Sequence, residues 1–167
     1  IRILRLYPGK DRDLLKCTLS EIRTRSLPKY EALSYTWGPN EFPKRITDGD
    51  SGADIAITNN LFDAFQVLRL EEESRLLWID AVCINQNDDV EKSGQVAMMS
   101  SIYQNADSVL VWLGSAPEDH LETTNSEPVF EKSHSALSDA ITAGVGTIFE
   151  SKWFTRVWIV QEYILAK

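Results

Sequence analysis

The chain has 167 residues, 43% of them hydrophobic and 25% charged, with a formal net charge of −8. That length and composition describe one ordinary globular domain with room for a real core. The acidic balance and dispersed Lys and Arg exclude an electrostatic footprint for nucleic acid or anionic membrane, and no apolar run is long enough to span a bilayer.

In chain order, Ile1 to Leu6 is short and β-like, Pro8-Gly9 and the charged Lys10 to Asp13 make a turn, and Leu14 to Leu19 returns. The spacing predicts an N-terminal hairpin. Tyr30 to Tyr35 is a further strand, ending in Thr36-Trp37-Gly38-Pro39-Asn40, where glycine followed by proline forces a loop. Trp37 beside Gly38 at a strand end either roofs a pocket or plugs the edge of the core. Ile46 to Ile57 contains Asp48-Gly49-Asp50-Ser51-Gly52, a second hairpin signal. Thr58, Asn59 or Asn60 then caps a helix whose Leu61, Phe62, Phe65 and Leu68 fall at helical spacing and lie on the core.

The stretch from Leu76 to Gly114 organises the rest. An apolar run, Leu76 to Ile79, ends on Asp80; a polar turn, Asn85 to Asp89, leads into a helix over Val90 to Ala106; a second run, Val109 to Leu113, closes on Gly114. Strand, loop, helix, strand is a βαβ unit with two parallel strands. Both runs are apolar throughout, as expected of strands covered on both faces. Trp78, Trp112 and Ile102 are therefore expected in the core. Asp88 and Glu91 have capping-box spacing, and Val96, Met99, Ile102 and Ala106 form the helix's buried stripe. The three segments ending at Tyr35, Asp80 and Gly114 should be neighbouring strands with their carboxyl ends at one cleft, where ligands sit in such sheets.

Ser115 to about Ser135 is a polar excursion carrying Pro117 and Pro128, and Ala136 to Phe149, with Gly144 and Gly146, is a weak helix. Thr155 caps a last helix, Arg156 to Ala166, that contains Glu162. The helical neighbours of Glu162 are Trp158, Ile159, Leu165 and Ala166, none of which offers a charge. Its carboxylate therefore reaches solvent, binds the backbone N–H groups of a neighbouring loop, or stands desolvated in a cleft with a raised pKa. Two cysteines, Cys17 and Cys83, make neither a disulfide framework nor a metal spacing, which points to a reduced, cytoplasmic setting. His120 and His134 are isolated, so no metal site is expected.

Four segments taken together resemble the fungal heterokaryon-incompatibility (HET) domain. They are Tyr30-Glu31-Ala32-Leu33-Ser34-Tyr35-Thr36-Trp37-Gly38; Leu77-Trp78-Ile79-Asp80 running on to Cys83-Ile84-Asn85-Gln86; Ile102-Tyr103 with Ala106 and the Val109 to Gly114 strand; and Trp153-Phe154 with Arg156, Trp158, Gln161 and Glu162. They follow the family's order over about residues 30–165, and residues 1–167 are read as one such domain, the N-terminal part of a longer protein. HET domains are similar to Toll/interleukin-receptor (TIR) domains. The resemblance implies an α/β, flavodoxin-like or TIR-like, mostly parallel sheet with helices on both faces and an added N-terminal β-hairpin.

It also implies a role in programmed cell death after fungal non-self recognition, with self-association and protein partners. In TIR members that cleave NAD, a helix glutamate four residues after a tryptophan is catalytic, and the implied equivalent is Glu162. The implied nucleotide contacts are Tyr35, Trp37, Gly38, Asp80, Asn85, Gln86, Arg156 and Trp158, with NAD as substrate and no resident cofactor. Arg156 meets a phosphate or, alternatively, ties its helix to Asp80 or the polar loop. The rival reading is a non-catalytic, self-associating signalling module of the same fold.

Overall fold

The computed structural model describes residues 1–11 and 13–115. Its strands are β1 (Arg2–Leu6), β2 (Lys16–Glu21), β3 (Glu31–Tyr35), β4 (Lys44–Asp48), β5 (Asp54–Ile57), β6 (Arg75–Trp78) and β7 (Ser108–Trp112). Its helices are α1 (Asn59–Leu68), the single turn α2 (Asp80–Cys83) and α3 (Asp89–Asn105). The strands form one sheet in the order β5-β4-β2-β1-β6-β3-β7.

Both hairpins expected from the turn residues are present, β1 with β2 and β4 with β5, each antiparallel. The first is not an appendage. Leu4 of β1 lies between Leu19 of β2 and Leu77 of β6, so the hairpin is built into the middle of the sheet. β6, β3 and β7 are neighbours and all parallel, as the three converging segments required. With β2 and β4 also parallel, three pairings among the described residues are parallel and three antiparallel, so this part of the α/β sheet is mixed rather than mostly parallel.

Helices cover both faces, as register and the two-residue side-chain period show. Ala32 pairs with Trp78, and the Trp78 ring meets Tyr103 of α3 edge-on at 5.5 Å and 78°. Tyr35, three residues on and so on the opposite face, pairs with Trp112, whose indole reaches Asn60 of α1. Thr58 is the cap of α1, its hydroxyl accepting the Leu61 N–H at 3.2 Å. Leu61 and Phe65 are fully buried beneath it, with Phe62 and Leu68 packed alongside. On the other face Tyr30 Oη donates to the Ile102 carbonyl at 2.5 Å and Tyr103 Oη to the Leu33 carbonyl at 3.2 Å, which fastens α3 to β3.

Several local expectations are corrected. β6 stops at Trp78, and Asp80 opens α2 instead of ending the strand, because its own carboxylate accepts the Ala81 N–H at 2.7 Å. Asp88 caps α3 by accepting the Val90 and Glu91 N–H groups, both at 3.0 Å. Glu91 does not close the box. Its carboxylate accepts instead from the Asn85 N–H at 2.9 Å and from Arg2 of β1. Val96 lies 36% exposed, and the buried stripe of α3 is Met99, Ile102, Tyr103 and Ala106. The end of the β6 run is covered as expected, with Leu77, Trp78 and the following Ile79 fully buried, while Leu76 is partly buried. β7 is not covered in this way: it is the last strand on its side among the described residues, Val111 is exposed, and Trp112 is only half-buried against the core.

The amino ends of β6 and β3 are tied by Arg75, which meets both carboxylate oxygens of Glu31 and donates to the Leu68 carbonyl at 2.9 Å, and Ser108 of β7 donates to the same Glu31 carboxylate at 3.3 Å. The Arg75 hydrogen bond holds the Glu31 carboxyl below its ordinary 4.5, against the opposing effect of burial. A depressed folded-state pKa means stability that is present above 4.5 and lost as pH falls through the folded value. With side chains 21% and 24% exposed, the pair stands between a screened surface bridge and a buried one. Glu31→Gln should then cost about 1–2 kcal/mol at neutral pH. Melting curves check this: the gap between mutant and wild type should close in acid, and a gap independent of pH would refute it.

Candidate functional site

The site lies beyond the carboxyl ends of β6, β3 and β7. As β3 ends, Trp37 turns off the strand and Gly38 takes a positive φ of 79°, a conformation glycine adopts without strain. Gly114, just past the end of β7, does the same at 108°. The two glycines therefore turn two of the three strands away at the same end of the sheet.

Two side-chain bridges stitch the three ends together. The Trp37 indole Nε1–H donates to both carboxylate oxygens of Asp80, each at 3.0 Å, joining the loop after β3 to the turn after β6. Because Asp80 also accepts from its neighbour Ala81 at 2.7 Å, the carboxylate is fixed in one orientation. Gln86 Nε2 donates to the Asp80 carbonyl at 2.9 Å and folds the polar turn back onto the same residue. The second bridge is Asn60, in the first turn of α1. Its Nδ2 donates to the Thr36 carbonyl at 2.5 Å, and its Oδ1 accepts the Trp112 indole N–H at 2.8 Å.

The structure thus brings together Trp37, Gly38, Asp80 and Gln86. Trp37 packs half-buried against the core and is also tethered by its polar edge, so it is more than a plug. Tyr35 is 1% exposed and belongs to the floor beneath these residues rather than to a ligand-contacting surface. Asn85 shapes the turn into α3, its Oδ1 accepting the Asn87 N–H at 3.1 Å. Arg156, Trp158 and Glu162 lie outside the described residues, as do His120, His134 and the whole stretch 116–167.

Asn60 is the residue that sequence reasoning missed. It stood among three capping candidates, and a signal was available: once Thr58 takes the cap, a carboxamide in the first helical turn is free to bind elsewhere. Asn60→Ala should cost about 1–3 kcal/mol, because the Thr36 carbonyl and the Trp112 indole both lose their partner. Thermal melting reads that loss; an unchanged melting temperature would show the bridge to be dispensable.

Both thiols are chemically quiet. Burial is the main effect pushing Cys17 and Cys83 up to about 12, with the charge of Asp48 adding to the effect at Cys17. Neither is then a thiolate near neutral pH, and neither serves as a nucleophile. Among the described residues, no three His, Cys, Asp or Glu side chains converge as metal ligands, and no helix is long and apolar enough to cross a membrane.

Comparison with known proteins bears on the same segments. The family model described as "Heterokaryon incompatibility protein (HET)" matches residues 30–162. The chain is 37% identical over 131 residues, 71% of its length, to heterokaryon incompatibility protein 6, OR allele, of Neurospora crassa. It is 25% identical over 164 residues, 96% of its length, to vegetative incompatibility protein HET-E-1 of Podospora anserina. It spans 19% and 11% of those two proteins, so it corresponds to a small part of each. No solved structure matches the chain. The matched region runs from β3, through the Trp37–Asp80 bridge, to Glu162, and on that match the chain belongs to the heterokaryon-incompatibility (HET) family.

Proposed function

We propose that this domain is a cell-death effector of fungal non-self recognition, working in the cytoplasm, and that it acts by cleaving NAD at the nicotinamide–ribose bond. The observation that carries the reading is the convergence of three strand ends on one edge of the sheet. Three parallel strands end together, and the Trp37–Asp80 and Asn60–Trp112 bridges fasten those ends to one another at the place where such sheets bind ligands. Glu162 is the proposed catalytic carboxylate. Nicotinamide bound to ribose is already cationic, so its C–N bond breaks with the electron pair leaving on nitrogen and needs no general acid. The ribosyl group left behind is oxocarbenium-like, and a carboxylate fixed in a dry cleft stabilises it electrostatically. Water adds to the anomeric carbon and releases a proton, giving ADP-ribose and nicotinamide. Trp37 retains a ring to stack on a planar group, Trp158 is assigned the same role, and Arg156 meets a phosphate.

A second reading has its own observation. The Asp80 carboxylate is committed to holding Trp37 and the Ala81 amide, so the acid at these strand ends acts as a fastener. That favours a non-catalytic module which self-associates and recruits protein partners. Incubating the domain at high concentration with NAD and measuring free nicotinamide separates the two. Nicotinamide release supports the enzyme; cell killing without NAD consumption overturns it and leaves the scaffold.

A further inference from the structure

A cleft of about 440 Å³, lined in part by Ala81 and Gln86, lies beside the Trp37–Asp80 bridge. Leu19 of β2 lines it together with Val82 and Ile84, the last two buried, which makes an apolar floor. Phe42, 41% exposed, stands at the rim, at the far end of the loop that begins with Trp37. The remaining wall is the turn Asn85-Gln86-Asn87, three carboxamides in a row.

That turn is held in one shape. The Asn87 N–H donates to Asn85 Oδ1 at 3.1 Å, and the Asp88 N–H to the Asn85 carbonyl at 3.2 Å. Gln86 reaches the Asp80 carbonyl, so the cleft shares a wall residue with the candidate site. Among the described residues no carboxylate lines it. Its one cation, Arg2, is already engaged by the Glu91 carboxylate and the Cys83 carbonyl.

This lining suits a flat, uncharged heterocycle. Phe42 supplies a face to stack on, the floor accepts the ring, and carboxamides supply a donor and an acceptor side by side for its edge. The amino and ring-nitrogen pair of adenine matches that geometry. A phosphate would find no free cation among the described lining residues, and an aliphatic chain would make no use of the carboxamide edges.

We infer that this cleft receives the adenine base of the nucleotide whose ribose is held at the neighbouring site, an inference that rests on the nucleotide reading above. The test is calorimetric titration of AMP into the wild-type chain, Phe42→Ala and Phe42→Trp, with melting curves for all three. Phe42→Ala should melt like wild type and bind AMP more weakly by roughly tenfold or more, the worth of a base–aromatic stack, while Phe42→Trp keeps the affinity. No AMP binding by the wild type, or equal binding by Phe42→Ala, overturns the base site. The two readings fail separately. NAD hydrolysis with a KM untouched by Phe42→Ala sinks the base site and spares the reaction. Phe42-dependent AMP binding without any NAD cleavage does the reverse.

Discussion

Replacing Trp78 with alanine is expected to cost about 3–5 kcal/mol of folding stability, the range for deleting a large aromatic side chain from a closed core. Trp78 is 0% exposed, and its strand lies between β1 and β3 near the centre of the sheet. Its ring is the edge-on partner of Tyr103, so the cavity would open where α3 rests on the sheet. Tyr103 in turn holds the Leu33 carbonyl, and the loss would spread to the strand that carries Trp37. Trp78→Phe should cost markedly less. It keeps a ring against Tyr103, and no hydrogen bond within the described residues is forfeited, because Trp78 Nε1 is buried without an acceptor among them. Urea unfolding checks both variants. A Trp78→Ala midpoint near that of wild type would mean that β6 is not the centre of the core, whereas equal losses for both variants would show that the indole N–H matters.

The elements of this fold were legible because their signals are local. Apolar runs, turn glycines and a threonine cap place β1, β3, β6, α1 and both hairpins without any knowledge of their neighbours. The sheet order is a different kind of information. Nothing in the run Leu76 to Ile79 records that β3 lies between it and β7, or that β1 pairs along its other edge. A βαβ pattern suggests parallel neighbours, and it overstates parallel character when a hairpin is inserted into the same sheet. The same limit applies to single side chains. Glu91 has the spacing to close a capping box, yet Arg2 and the Asn85 amide, brought close by the fold, compete for the carboxylate and win it. Trp112 is as apolar as Trp78 in sequence, but β7, the last described strand on its side, leaves it half-buried and its indole bound to Asn60. The site shows both sides. Trp37, Gly38 and Asp80 were readable as residues at strand ends, while Asn60, which ties two of those ends together, joins partners 24 and 52 residues away.

Glu162→Gln is expected to lower NAD cleavage by about 10²–10³-fold or more, the scale on which a single preorganised electrostatic group acts in a dry site. The substitution keeps the side-chain volume and most of its hydrogen bonds and removes only the charge. If the carboxylate stabilises a ribosyl cation, the mutant should fold as wild type does and lose both nicotinamide release and cell killing. If it instead ties down the backbone amides of a neighbouring loop, the same change should lower stability by about 1.5–3 kcal/mol, the worth of a charged hydrogen bond. The sequence supplies two reasons to expect the first outcome: the residues three and four positions from Glu162, Trp158, Ile159, Leu165 and Ala166, offer no charge, and the Trp158–Glu162 spacing resembles that of the TIR catalytic glutamate. One melting curve and one nicotinamide assay distinguish the cases. A Glu162→Gln domain that melts normally and still kills would remove Glu162 from the chemistry. The scaffold reading would then explain both the killing and the commitment of Asp80 to holding Trp37.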